Sequence, residues 1–161
     1  MRKNQKGFSL IELLIVVAII LIIAAIAIPN LMRSKMAANE ASAVGSLRSI
    51  NTASVTYSST YGIGFPSDLT KLKPVAPGAT ATSTAADLID NVLANGTKSG
   101  YDFVLTGAAA DKNGIVQTYT ATAAPAVPAQ TGNRYFFTDQ SFVIRQNTTT
   151  TAAVTDSPIG N

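Results

Sequence analysis

The chain has 161 residues, with 12 Lys and Arg against 9 Asp and Glu and no His, Cys or Trp. Without His or Cys the commonest general bases, nucleophiles and metal ligands are missing, and no Gly-x-Ser-x-Gly occurs, so no enzyme, metal or cofactor is expected. No disulfide can form, and one small domain is all that the length outside the apolar N-terminal run supports.

The first seven residues carry Arg2, Lys3 and Lys6 and no acid. By the positive-inside rule this end stays cytoplasmic and the rest of the chain is exported. Removing it takes the twelve basic residues down to nine, equal to the nine acids. The excess positive charge therefore lies in the first seven residues. No cluster of more than two Lys or Arg follows Gly7, and no direct nucleic-acid binding is predicted.

Phe8 to Ile28 is a 21-residue run whose one charge is Glu12. As a helix it would span about 31 Å, matching the ~30 Å hydrocarbon core of a bilayer. A charge inside such a run costs about 2.5–3.5 kcal/mol on insertion scales, so Glu12 needs an explanation. It either snorkels back to the interface near Lys6, or it awaits a positive partner from another molecule. Ala24, Ala25 and Ala27 imitate a signal-peptidase site poorly, and Pro29-Asn30 leads directly into more helix.

The segment Lys6-Gly7-Phe8-Ser9-Leu10-Ile11-Glu12, with its apolar run and Pro29, resembles the class III signal of type IV prepilins and pseudopilins. The resemblance covers Lys6 to Asn30. It implies cleavage between Gly7 and Phe8 by a membrane prepilin peptidase and N-methylation of the new Phe8 amine, with the apolar helix retained. Glu12 then falls fifth in the mature chain, where the family carries an assembly glutamate that pairs with a neighbouring Phe8 amine. The partners implied are further copies in a helical homopolymer, the prepilin peptidase, the inner-membrane pilus assembly platform, minor pilins, and membrane lipid before assembly. The precursor would sit in the inner membrane and the mature form in an extracellular pilus serving adhesion and twitching motility. A type II secretion pseudopilin in a periplasmic pseudopilus, or a minor pilin, is the alternative. Many type IV pilins close their C-terminal loop with a disulfide; this chain departs from that pattern and must hold its last segment by packing or strand pairing. Secretion pseudopilins often carry a calcium site there, but Asp139 and Asp156 are too sparse for six to eight oxygens. A plain membrane-anchored binding module would instead keep Met1.

Beyond the apolar run (residues 8–29), an amphipathic helical half is predicted over 30–61. Met36, Ala43, Leu47, Ile50, Ser54 and Tyr57 share one face, while Arg33, Lys35, Asn39, Glu40, Ser46 and Arg48 occupy the remainder. Pro29 removes a backbone donor and predicts a kink or locally melted segment near Ala25 to Pro29, or else marks the end of the membrane helix. Gly62 is placed to cap the helix in a left-handed conformation. Residues 62–100 read as a connecting region with a turn at Phe65–Leu69, and Thr84-Ala85-Ala86-Asp87 as a capping box opening a short helix through Leu88 to Leu93, ended by Asn95-Gly96.

Residues 101–161 read as antiparallel sheet and tail. Tyr101–Thr106 and Val116–Ala123 flank Asp111-Lys112-Asn113-Gly114, and Arg134–Thr138 and Ser141–Arg145 flank Asp139-Gln140. Alternation sets Phe136 opposite Tyr135 and Phe137. The tail from Asn147 is expected to cover the sheet edge loosely, with Thr148–Thr151 read as a solvated tract rather than a glycan acceptor. The fold class is α+β, and the resemblance implies the pilin roll, a long helix packed on about four antiparallel strands.

Overall fold

The computed structural model describes residues 8–160; the leader through Gly7, and with it the first half of the expected cleavage site, lies outside the described residues. Helix α1, Leu10–Tyr61, is the first element, and the chain divides into two compact units at Lys35 and Met36.

In the first unit every apolar residue from Phe8 to Met32 is exposed except Ala24, which is partly exposed. The Ile and Val that dominate it have mediocre helix propensity in water. An apolar surrounding favours a helix in such a run, because backbone N–H and C=O groups there can only be satisfied within the segment. Pro29 lies inside α1 and the helix is unbroken there, so the local melting expected near Ala25 is not seen. Ala25 O nevertheless loses the donor that any other residue at position 29 would supply.

The second unit is an α+β roll. Ala43, Leu47, Ile50, Ala53, Ser54 and Tyr57 of α1 are buried. All but Ser54 form the hydrophobic core with Leu69, Leu72, Leu93, Tyr101, Phe103, Leu105, Tyr119 and Phe136. The sheet has six antiparallel strands in sequence order, not about four: β1 Thr97–Lys98, β2 Tyr101–Gly107, β3 Tyr119–Pro125, β4 Tyr135–Asp139, β5 Arg145–Asn147 and β6 Ser157–Pro158. The two additions are two-residue strands at the edges. Lys98 on one edge and Pro158 on the other discourage further strand pairing.

Burial alternates along β2, with Tyr101, Phe103 and Leu105 inward and Asp102, Val104 and Thr106 outward. Register places Phe103 beside Ala123 and Ala123 beside Phe136, a row of large, small and large side chains. Phe137 points to the other face by alternation, yet it too is buried, at 8% exposure. Core packing thus accounts for Phe136, whereas Phe137 is buried outside the core cluster.

Two polar residues placed outside the apolar stripe of α1 are buried, Glu40 and Ser46. Glu40 is drawn inward because it satisfies the loop before β4. Its Oε1 accepts the Asn133 and Arg134 amides (2.8 and 3.2 Å), and its Oε2 accepts Arg134 Nε at 2.7 Å. Burial alone would raise its pKa, but the Asn133 amide and Arg134 outweigh it and hold Glu40 below the usual carboxylate range. The Arg134 guanidinium also donates to Gln146 Oε1 (2.8 Å) and lies over the Phe136 ring.

A second buried polar group fixes the helix against the sheet. Tyr119 Oη donates to Asn51 Oδ1 (2.9 Å), and Asn51 Nδ2 donates to Thr138 Oγ1 (3.0 Å). Burial pushes the Tyr119 phenol up to about 12, so it remains a donor throughout the ordinary pH range.

The connecting region follows its turn chemistry in part. α1 ends at Tyr61 with Gly62 left-handed, and Asp68 caps a 3-10 turn, Leu69–Leu72, by accepting the Thr70 amide. The expected helix from Thr84 begins later. Thr82 and Ala85 close a tight turn on each other, Asp87 is left-handed, and Asp90 caps α2, Asn91–Ala94. Asn95-Gly96 ends α2 as predicted. β3 starts at Tyr119 rather than Val116, because Val116 exchanges backbone hydrogen bonds with Ile63 and Phe65 just past the end of α1. Ser141–Ile144 leave the sheet because Asp139 accepts both the Ser141 amide and hydroxyl and turns the chain, with Phe142 left-handed.

Candidate functional site

The sequence singles out Phe8, Glu12 and Pro29 in the N-terminal segment, with the cut expected after Gly7, which lies outside the described residues. Phe8 is 84% exposed and stands one residue before the N-cap of α1. Ser9 is that cap: its Oγ accepts the Ile11 amide (3.3 Å), and its own amide donates to Glu12 Oε2 (2.9 Å). Ser9 and Glu12 therefore answer each other across the first turn, satisfying two of the amides that every helix start leaves without a partner.

The spacing Ser-x-x-Glu signals such a box in any sequence. It lies within the same four residues that draw attention for another reason, and the sequence reading passed over it. Glu12 is thus neither bare nor ion-paired within the described chain. The two ion pairs among the described residues are Lys98–Asp90 and Arg134–Glu40, both in the second unit. A carboxylate offers about four acceptor directions, so capping leaves Glu12 with capacity for a cationic donor. Its place in the first turn also sets negative charge at the positive end of the helix dipole.

From Leu13 to Ile28 the helix presents apolar side chains on every side, and it is long and apolar enough to cross a membrane. A helix of that kind needs a dry surrounding, in lipid or among other such helices. Among the described residues no group of three His, Cys, Asp or Glu is placed to hold a metal. Asp139 is occupied with Ser141, and Asp156 with Asn147 and Ala153.

Residues 2–28 match the family model of the prokaryotic N-terminal methylation motif. Over 38 residues the chain is 60% identical to the type IV wide pilus major component PilA4 of Thermus thermophilus, a match covering 24% of this chain and 29% of that relative. The similarity thus spans less than a third of the relative's length. No solved structure matches the chain. Over its N-terminal segment the chain is thus similar to the type IV pilins, and the exposed apolar helix and the α+β fold built on the same helix agree with that similarity.

Proposed function

We propose that the chain is the structural subunit of a type IV pilus-like filament. In this reading it is cut by prepilin peptidase after Gly7, N-methylated at Phe8, and assembled by packing of its apolar helices. The observation that carries the reading is the methylation motif over residues 2–28, continuous with a helix whose apolar side chains are exposed among the described residues. A major pilin is favoured because the relative that the N-terminal segment resembles is a major pilus component. Roles in adhesion and twitching motility, and an extracellular location for the mature form, follow from that choice.

The chemistry of assembly is electrostatic as well as apolar. Moving the helix from lipid into a filament core is nearly neutral for its side chains, since both settings are dry. Cleavage, however, creates a cation beside the N-terminus of α1, where the helix dipole opposes it by roughly 0.3–1 kcal/mol. Glu12 lies in that first turn and offsets the charge within the chain, while its remaining acceptor capacity suits a neighbour's Phe8 amine. At an effective dielectric near 20 a pair about 4 Å apart gains about 4 kcal/mol before desolvation. Pro29, with Ala25 O lacking its donor, is where the helix would bend or soften on packing.

The test is mass spectrometry of the subunit with electron microscopy of sheared surface material. A subunit beginning with methylated Phe8 in long fibres is expected, and Glu12→Leu is expected to remain membrane-inserted and unassembled. Met1 retained on the isolated subunit, or wild-type fibre numbers from Glu12→Leu, would overturn the reading. Absent fibres with a secretion defect on deletion would assign the subunit to a pseudopilus.

A further inference from the structure

We propose that Asp156 is a non-covalent lock that closes the C-terminal strap, residues 147–159, onto the last strands of the sheet. In this cysteine-free chain it does what a covalent cross-link of that loop would do. Asp156 Oδ1 accepts from Asn147 Nδ2 (3.0 Å) and Oδ2 accepts the Ala153 amide (2.7 Å). Its backbone oxygen accepts from Arg145 Nη1 (2.9 Å), and its amide donates to Ala153 O (3.1 Å). Asn147 completes the tie from the other end, since its Oδ1 accepts the Thr149 and Thr150 amides. One Asp–Asn pair therefore joins both ends of the Thr-rich loop. Past the lock, β6 pairs with β5, and Ile159 donates to Ile144 O at 2.9 Å.

Apolar burial supplies this closure only at its far end, where Ile159 packs against the core. Between Thr148 and Pro158 the one buried side chain is Ala152, while Val154 stays exposed. A single methyl group is far too little apolar surface to hold eleven residues against their conformational entropy. The polar contacts at Asp156 must carry the difference. Arg145 is committed to the same place, for its Nε is buried without a partner and the Asp156 carbonyl is the acceptor its guanidinium has found. If the strap opened, the three-residue β5 would become a free sheet edge beside Phe137, its register partner.

The full-length chain in detergent micelles, digested with elastase, provides the test, because cleavage at Ala152 to Val154 reports local opening of the strap. Asp156→Ala is expected to be cut there at least tenfold faster than wild type, with a melting temperature within a few degrees of it. Asp156→Asn, which keeps one acceptor, is expected to fall between the two. Cleavage of Asp156→Ala at the wild-type rate would overturn the lock. So would acceleration at sites throughout the sheet in step with a fall in melting temperature, since Asp156 would then be an ordinary stabilising residue. Should Asp156→Ala fail to fold, Asn147→Ala removes the Asn147 tie to Asp156, with the Thr149 and Thr150 bonds, and leaves Ala153 bonded. Several-fold faster cutting of that variant supports the lock, and an unchanged rate overturns it.

Discussion

Replacing Glu40 by alanine removes a carboxylate that three donors share: the Asn133 amide, the Arg134 amide and Arg134 Nε. Hydrogen bonds to a charged acceptor contribute about 1.5–3 kcal/mol each when buried, but these three are not equal. Asn133 is exposed and the Arg134 side chain retains 40% of its accessibility, so both can recover water, and the guanidinium's share falls to about 0–1 kcal/mol. The expected loss is about 2–3 kcal/mol, or roughly 8–12 °C in melting temperature at about 4 °C per kcal/mol for a unit of this size. Glu40→Gln can keep Oε1 for the two amides but sets an NH2 group against Arg134 Nε, donor against donor, and should lose part of this. The pH dependence identifies the cause. Glu40 has its folded pKa lowered from 4.5, so its contribution is complete above that value and disappears as pH falls through the folded pKa. Thermal melts of the full chain in micelles, followed by near-ultraviolet circular dichroism, should show wild type and Glu40→Gln converging below about pH 4.5. A constant difference down to pH 3, or a loss under 1 kcal/mol for Glu40→Ala, would refute the assignment of Glu40 as the tie between α1 and the β4 approach.

Asn51→Leu strands the Tyr119 hydroxyl and Thr138 Oγ1 in the core, and should cost about 2–4 kcal/mol by urea denaturation. Tyr119→Phe in that background should restore part of the loss, since it removes one of the orphaned groups. Phe142 is 45% exposed in a left-handed backbone (φ 62°), so Phe142→Gly should stabilise the second unit by about 0.5–1 kcal/mol. A destabilised Phe142→Gly would mean that the ring's contacts outweigh the backbone strain.

How much was legible in the sequence depended on how far each determinant reached along the chain. The apolar run, the Gly62 end of α1, and the Asp68 and Asn95-Gly96 punctuation were readable because their causes lie within a few residues. Glu40 was misplaced because what buries it is Arg134, 94 residues away, and no local pattern distinguishes such a glutamate from a solvated one. The strand ends failed for a similar reason. Val116 alternates like a strand residue but is engaged by Ile63 and Phe65, and the second hairpin is cut short by the Asp139–Ser141 clamp.

Glu12 is the instructive case, since its cap was local and fully readable. A carboxylate in an apolar run demands a partner, and a cation from another molecule satisfies that demand in a way that suits the family resemblance. The nearer partner is the backbone itself: at a helix start the amides are unsatisfied, and Ser9 with Glu12 answers them before any neighbour arrives. This changes what an alanine or leucine at position 12 would remove. Such a variant loses Glu12's half of the capping box, its bond to the Ser9 amide, together with any contact to a neighbour. Glu12→Gln separates the two, because its amide oxygen can still accept the Ser9 amide while it carries no charge. On the proposed reading, Glu12→Gln keeps the first turn of α1 helical in micelles and still assembles poorly. If it assembled as wild type does, the cap rather than the charge would be what assembly requires.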